Sequence, residues 1–317
     1  MNVILFLGCP SGTVITDKSI SAVLGMDVTL PCYYHIEADE KVAQVSWVKK
    51  ETDGQNTDIA ILNIEYGTIV FGAYSGRVKE KSPLDSEDGG IVLKNAVQAD
   101  EGTYQCRVNT FPAGNFDAEL QLKVLVPPLP TLSPGPTLTE GDGKTLAASC
   151  TAEGNPAPSL AWDTEVDGIN QTQRYQHPRS ASVTSDFYVV PSRRMNGKAL
   201  SCVVSHPGFQ QEKRITHVLD VRYLAGVSIQ GYEESWFVGK EAATLKCICE
   251  GNPPAVYKWS RTNSSLPEGI KTGGDTLQFL RPLEAEDAGV YICQSTNDIA
   301  SRQGMVTISI SGMNLTC

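Results

Sequence analysis

Three units of cysteine, tryptophan and cysteine constrain the fold of this chain more than any other feature. Each unit begins with a segment in which apolar and other residues alternate into a cysteine, the period of a half-buried β-strand. The segments are DVTLPC (27–32), KTLAASC (144–150) and EAATLKC (241–247), and the units are Cys32–Trp47–Cys106, Cys150–Trp162–Cys202 and Cys247–Trp259–Cys293. This order is typical of immunoglobulin sandwiches, in which the two cysteines bridge the sheets and the tryptophan packs on the bridge. We therefore predict an all-β chain of three tandem immunoglobulin-like β-sandwiches with these three disulfides.

Cysteine spacing separates the first domain from the other two. Its cysteines are 74 positions apart, against 52 and 46, and the extra length accommodates two further strands. We predict one variable-type domain followed by two constant-like domains. Tyr104 and Tyr291 stand two residues before a closing cysteine, the position of a tyrosine corner, whereas Leu200 occupies it in the second domain. Arg77 and Asp100 are predicted to form a structural ion pair.

The domain limits follow from the units and from two junctions. VPPLPTLSPGP (126–136) is rich in proline, and RYLAGVS (222–228) joins the second unit to the third. The segment MNVILFLGC fits either a weak or truncated signal peptide or an error in the gene prediction, because no basic segment precedes its apolar run. The predicted ranges are 1–16 (signal segment), 17–126 (variable-type), 127–224 and 225–312 (constant-like) and 313–317 (tail).

Cysteine usage and sequons indicate an extracellular protein. Nine cysteines occur without a C-x-x-C pair, so we predict no metal site. Sequons place N-glycans at Asn170, Asn263 and Asn314. Widely spaced cysteines together with sequons are typical of an oxidising compartment. The net charge of −10 argues against a nucleic-acid partner.

Three cysteines have no predicted partner. Cys247 is preferred over Cys249 for the bridge to Cys293, because it keeps the tryptophan spacing of the second unit. We predict that Cys249 is a buried free thiol, with an intermolecular bridge as the alternative. Cys9 falls in the predicted signal segment, and the role of Cys317 stays open.

The sequence favours a binding module over an enzyme. It contains no G-x-S-x-G, no H-E-x-x-H and no glycine-rich phosphate loop, and no cofactor is predicted. The segment NTFPAGNFD (109–117) instead places Phe111 on an exposed turn, with Pro112 at the second position and Gly114 at the fourth position of a type I turn. From the residues alone, the ring either folds back over the edge of the core or contacts a partner. Strand alternation points Gln44 and Ser46 out of the same sheet.

Longer segments resemble the nectins, calcium-independent cell–cell adhesion molecules of epithelia. The resemblance covers the first two domains in full and the third more loosely. The matching segments are VAQVSW (42–47), EYGTIVFGAYSGRV (65–78), LKNAVQADEGTYQCRV (93–108), TFPAGNF (110–116), LAASCTAEGNPAPSLAWDTEV (146–166) and VPSRRMNGKALSCVVSHPG (190–208).

The resemblance implies a function and a binding face. Nectins pair in cis and across the cell–cell gap, with themselves or related nectins, through strands G, F, C, C′ and C″ of the first domain. The matching positions are Gln44, Ser46, Tyr66, Gly67, Phe111, Pro112, Ala113 and Gly114. With this motif matched, partner contact becomes the favoured interpretation of Phe111.

The resemblance also leaves alternatives. Nectins have a transmembrane helix and a tail that binds the scaffold protein afadin. This sequence has neither, so we interpret it as an ectodomain, either a fragment or a splice or secreted form that could block adhesion. Its expected place is the surface of cell–cell junctions if the native form is anchored, and the extracellular medium otherwise. A related alternative is a poliovirus-receptor-type ligand or receptor that uses the same face for an immune-cell receptor.

Overall fold

The computed structural model describes residues 13–36, 40–51 and 54–312. Within these ranges the chain forms three β-sandwiches in tandem, which confirms the predicted fold class. Cys9, Asn314, Cys317, most of the predicted signal segment and the tail 313–317 lie outside the described residues.

The first domain is built around a six-stranded sheet. The described strands of this domain are β1 (Thr13–Ile15), β2 (Ser19–Val23), β3 (Val28–Leu30), β4 (Tyr33–His35), β5 (Lys41–Lys50), β6 (Asn56–Asn63), β7 (Gly67–Val70), β8 (Val78–Glu80), β9 (Ile91–Leu93), β10 (Gly102–Phe111) and β11 (Gly114–Leu125). The large sheet has the order β2-β11-β10-β5-β6-β7, in which β2 is parallel to β11, and it faces the sheet β3-β9-β8. Strands β6 and β7 are the two additional strands that the long cysteine spacing predicts.

The core of this domain is formed where the two sheets meet. The disulfide Cys32–Cys106 joins them across 6.4 Å between Cα atoms, and Trp47 beside it is 1% exposed. The indole N–H of Trp47 donates to the carbonyl of Gly89 at 2.8 Å. A Cβ atom at Gly89 would lie 2.9 Å from Val45, so only glycine allows this close approach.

The second and third domains are smaller sandwiches of the same kind. In the second, the strands are β12 (Thr131–Pro134), β13 (Leu138–Thr139), β14 (Thr145–Gly154), β15 (Ser159–Thr164), β16 (Ile169–Gln176), β17 (Ala181–Val189), β18 (Ala199–Ser205), β19 (Lys213–Val218) and β20 (Val221–Leu224). In the third, they are β21 (Ser228–Gln230), β22 (Thr244–Ile248), β23 (Gly251–Asn252), β24 (Val256–Arg261), β25 (Ile270–Gly273), β26 (Thr276–Phe279), β27 (Gly289–Thr296) and β28 (Ser301–Ile308). The main sheets are β12-β14-β17-β16 with β15-β18-β19, and β21-β22-β26-β25 with β24-β27-β28.

The remaining disulfides join the predicted cysteines. They are Cys150–Cys202 and Cys247–Cys293, and Cys249 is a free thiol. The expectation that Cys249 is buried was wrong in degree, since the residue is only half-buried. The reason is that β22 ends at Ile248, so the alternation of buried and exposed positions does not extend to Cys249.

A short 3-10 helix precedes the strand of the second cysteine in each domain, and we call this helix the corner turn. The corner turns are Gln98–Asp100, Arg193–Met195 and Ala285–Asp287, and further 3-10 helices are Gly72–Tyr74 and Leu84–Ser86. Tyr104 donates to the carbonyl of Asp100 at 2.6 Å, and Tyr291 to that of Asp287 at 3.0 Å. Both predicted tyrosine corners are therefore present. Arg77 pairs with Asp100 as predicted, with 3.1 Å between Nη1 and Oδ1.

Both joints between domains use the sequence EGNP, which occurs at 153–156 and 250–253. At the first joint, Val126 and Asn155 exchange backbone hydrogen bonds of 2.7 and 3.0 Å. At the second, β20 pairs in parallel with β13 and antiparallel with β23, so one short sheet spans both domains. A Cβ atom at Gly154 would lie 2.8 Å from the carbonyl oxygen of Val126. At the first joint, Gly154 of the motif thus permits the close approach of Val126 at the end of the first domain.

Candidate partner-binding face of the first domain

The outer face of the six-stranded sheet is organised in rows across its strands. One row runs Asn115–Asn109–Gln44–Asn63–Gly67 across β11, β10, β5, β6 and β7, according to the strand register. The next row runs Asp117–Arg107–Ser46–Ile61–Ile69. Residues opposite each other on adjacent strands share a face. Gln44 and Ser46 therefore lie on the outer face, as strand alternation predicts.

Charges in the middle of this face are paired with each other. Arg107 donates to both carboxylate oxygens of Asp117, at 2.8 and 3.0 Å, and this hydrogen bonding raises the pKa of Arg107. Lys50 pairs with Glu119 nearer the other end of the sheet. Exposed pairs of this kind contribute about 1 kcal/mol or less to stability. Because these charges are paired, the middle of the face has no strong field of one sign.

One end of the face is apolar, and we call it the aromatic end. It consists of Ile64, Tyr66 and Phe111, which are 56%, 80% and 76% exposed. Asn63 holds the loop of Tyr66, because its side-chain oxygen accepts the backbone N–H groups of Glu65 and Tyr66 at 2.8 and 3.0 Å. This Asx-type turn fixes the loop through backbone groups and leaves the ring exposed.

The turn that carries Phe111 differs from the predicted type I turn. Strand β10 continues to Phe111, and the Phe111–Pro112 peptide bond is cis. A cis proline occupies the third position of a type VI turn, so the assignment of Pro112 to the second position of a type I turn was wrong. Gly114, with φ of +104°, starts β11, and its carbonyl accepts the Thr110 hydroxyl at 3.0 Å. The ring of Phe111 does not fold back over the core, since it is 76% exposed.

The predicted face residues are thus brought together in one region. Pro112 is exposed, whereas Ala113 and Gly114 are partly exposed beside it. Gly67 is exposed and has φ of +77°. A Cβ atom at this position would have no other atom within 4 Å. The turn between β6 and β7 therefore depends on the backbone conformation of Gly67 and not on close packing around it. The role of these residues in binding stays a prediction.

A cleft of about 570 Å³ adjoins the aromatic end and was not predicted from the sequence. Its apolar wall includes Tyr34, Ile36, Val42 and Leu84, and Glu40 lies at its rim with one buried carboxylate oxygen unpaired among the described residues. These side chains come from separate segments of the sequence. The alternation of Tyr34 and Val42 within their strands was visible in the sequence, but alternation does not reveal which strand ends and connecting segments meet.

The other predicted sites lie apart from this face. Asn170 is an exposed residue of β16, and Asn263 is exposed in a turn with φ of +62°. Occupancy of these sequons stays a prediction. Within the described ranges, no group of three or more His, Cys, Asp and Glu side chains is arranged to hold a metal ion. The same part of the chain has no helix of the length and apolarity that a membrane span needs.

Comparison with known domain families assigns each of the three domains. The immunoglobulin V-set domain matches residues 15–125, the CD80-like C2-set immunoglobulin domain matches 130–213, and a general immunoglobulin domain matches 228–297. These matches confirm one variable-type domain followed by two of other immunoglobulin types. The limits of the domains stay predictions.

Three known proteins that are similar to the chain are nectins. Nectin-4 of Xenopus tropicalis is 68% identical over 97% of this chain, and Nectin 1b of Danio rerio is 31% identical over 93%. Human Nectin-2 is 27% identical over 87%. The chain spans only 58%, 57% and 54% of these relatives. Among solved structures, insect hemolin is 14% identical with a TM-score of 0.38. The match covers 95% of this chain and 77% of the hemolin chain.

Proposed function

The chain belongs to the nectin family of immunoglobulin-superfamily proteins, and from this premise we propose that it mediates cell–cell adhesion at the extracellular surface. The observation that carries the proposal is the aromatic end, where Tyr66 and Phe111 are 80% and 76% exposed on turns fixed by hydrogen bonds. Large exposed aromatic side chains on ordered turns are typical of binding surfaces. We therefore assign a binding function, and not a catalytic one, to the aromatic end.

In the proposed mode, the outer face of the first domain pairs with the same face of a second copy or of a related nectin. The contact residues are Gln44, Ser46, Tyr66, Gly67, Phe111, Pro112, Ala113 and Gly114. Burial of a phenylalanine side chain contributes about 1.5–3 kcal/mol. The Phe111 turn loses little conformational entropy on binding, because β10 and β11 hold it in both states. The polar residues of the rows beside it contribute complementarity rather than much affinity.

The test is sedimentation of the full chain with and without the Phe111 ring. Phe111→Ala is expected to weaken self-association, or association with a nectin partner, by about 30-fold, which corresponds to about 2 kcal/mol. Met305→Ala is the matched control, since Met305 is 71% exposed but lies on β28 of the third domain. Thermal melting of each variant should be unchanged. Equal association of the wild-type and Phe111→Ala chains would contradict the proposal.

Further binding measurements distinguish calcium-independent nectin pairing from an immune-ligand function and from a blocking secreted form. We expect the association to be unchanged by a calcium chelator, since the contact needs no metal ligand. Binding to a lymphocyte receptor of the poliovirus-receptor group, without binding to any nectin, would favour the immune-ligand alternative. Inhibition of cell aggregation by the free chain would favour a blocking secreted form. Afadin is an expected partner only of a form that carries a cytoplasmic tail.

A further inference from the structure

Strand β16 of the second domain is an unusually open sheet edge. It is the last strand of the sheet β12-β14-β17-β16, and all eight of its residues, Ile169–Gln176, are exposed. It pairs with β17 through eight consecutive residues without a register shift. Within the described ranges, no strand pairs with its outer side. A long, regular, unpaired edge is a template for pairing with another chain.

Several other edge strands carry features that limit such pairing. Strands β7, β12, β21 and β25 have only three or four residues, and β12 ends in Pro134. Strand β19 begins with Lys213 and Arg214, and edge charges oppose pairing. Strand β28 is as long as β16, but Val227 covers its face at Gly304, and Val306 and Ile308 are partly and fully buried. Strand β16 is neither short nor covered, and Arg174 is its only charged residue.

Strand β16 does contain a sequon, Asn170-Gln171-Thr172. Asn170 pairs with Phe187, a residue that points into the sandwich, and it is itself exposed because it lies at the open side of the sheet. The Thr172 hydroxyl donates to Ser185 at 3.1 Å, so this side chain has a structural role as well. A glycan on Asn170 would therefore leave the chain from the edge strand itself.

We propose that an N-linked glycan on Asn170 shields the free edge of β16 from pairing with a second copy of this chain. The glycan is large and hydrated, and it stands on the second residue of the strand. A second copy cannot bring its own β16 into hydrogen-bonding distance, about 4.8 Å between strands, without displacing it. The shield leaves the first domain, which has no sequon, free to bind.

The experiment uses the full chain secreted from a glycosylating host. The variants are wild type, Asn170→Gln and Asn263→Gln, and the last removes a sequon from a turn rather than from an edge strand. Sedimentation velocity over a range of concentrations measures self-association, and hydrogen exchange of peptides that span 169–176 locates it. Asn170→Gln is expected to associate about tenfold more tightly than wild type, with concentration-dependent protection of β16. Asn263→Gln is expected to match wild type.

Two further measurements complete the test. Adding Gln171→Lys and Gln173→Lys to Asn170→Gln should restore the wild-type state, because charges on an edge oppose pairing. Should Asn170→Gln not be secreted, an endoglycosidase that trims the folded protein to a single sugar replaces it, with the same expected result. An unoccupied Asn170, an unchanged association constant, or protection that appears only in the first domain would each overturn the proposal. The last outcome would still be compatible with pairing through the aromatic end.

Discussion

The corner turns of the first and third domains are closed from within, whereas that of the second domain is part of a joint. In the third domain, Arg281 donates to both carboxylate oxygens of Asp287 at 2.8 and 2.9 Å, and Tyr291 donates to the Asp287 carbonyl. Arg77, Asp100 and Tyr104 make the same arrangement in the first domain. In each of these domains one aspartate thus holds the corner, because its buried carboxylate binds the arginine and its backbone carbonyl accepts the tyrosine hydroxyl.

The second domain uses the same region for contacts toward the third. Arg193 of its corner turn donates to Glu140 at 2.8 and 2.7 Å and lies over the ring of Tyr223 in the connecting strand. Asn196 accepts the backbone N–H of Val221 at 3.0 Å and the Asn252 amide of the third domain at 3.3 Å. The second domain, which has Leu200 in place of the corner tyrosine, therefore uses its corner turn for contacts with the joint. Here the turn stabilises the position of a neighbour rather than its own sandwich.

The largest expected difference is between the two arginines. Arg281→Ala leaves the carboxylate of Asp287, which is fully buried, without its cation, and we expect a loss of about 3 kcal/mol in the free energy of unfolding of the third domain. Arg193→Ala breaks a pair that is partly exposed, and we expect about 1 kcal/mol or less. Denaturant titration followed by hydrogen exchange of peptides from each domain measures both. Equal losses would remove the distinction between the two kinds of corner.

A smaller effect is expected for the tyrosine hydroxyls. Tyr104→Phe and Tyr291→Phe each remove one buried hydrogen bond and should cost about 1 kcal/mol in their own domain, with no effect on the second domain. Tyr66→Phe is the control, because its hydroxyl lies on a side chain that is 80% exposed. The same denaturant assay applies. If neither corner variant were less stable than the control, the hydroxyls would not be what closes these corners.

The smallest effect concerns alkaline pH. Burial raises the pKa of Tyr291 to about 12 and also raises that of Tyr104. An unfolded tyrosine has a pKa of about 10, so the contribution of Tyr291 is complete below about pH 10 and is lost as the pH rises toward 12. At pH 10.5 we expect a loss of under about 1 kcal/mol. Brief pH jumps monitored by absorbance of the tyrosinate ion should show the difference between wild type and Tyr291→Phe. Leu200 cannot ionise, so this corner position adds no pH dependence to the stability of the second domain. Identical titration curves for wild type and Tyr291→Phe would contradict the assignment of the raised pKa to Tyr291.

The fold was predictable from the sequence because its determinants are regular. Alternating residues lead into Cys32, Cys150 and Cys247, and a tryptophan follows each at a limited spacing, so local patterns specify the core. The tyrosine corners at Tyr104 and Tyr291 were predictable for the same reason, because each tyrosine stands two residues before a cysteine. The position of Leu200 showed that the second corner differs, but not what replaces the tyrosine. What replaces the tyrosine depends on contacts of Arg193 and Asn196 with the connecting strand and the third domain, and such contacts cannot be read from local sequence patterns.

The candidate site was predictable only in part. Alternation and the family resemblance together identified the outer face and the exposure of Phe111. The cis bond before Pro112 was missed, because a Phe-Pro sequence allows either isomer and the folded surroundings select one. The cleft beside the aromatic end was missed for a related reason. Tyr34, Val42 and Leu84 meet only after three separate segments have packed.

The parallel pairing of β2 with β11 determines how the first domain resists mechanical load. A pull on the two ends of this domain acts first on β1, which only three residue pairs hold to β4, and then on the amino end of β2 and the carboxyl end of β11. Because the strands are parallel, the two forces slide them past each other along their length. The paired residues from Ser19–Gln121 to Val23–Leu125 then share the load together, instead of separating one after another. Such a shear clamp at both termini keeps the sandwich closed while tension passes through it to the second domain.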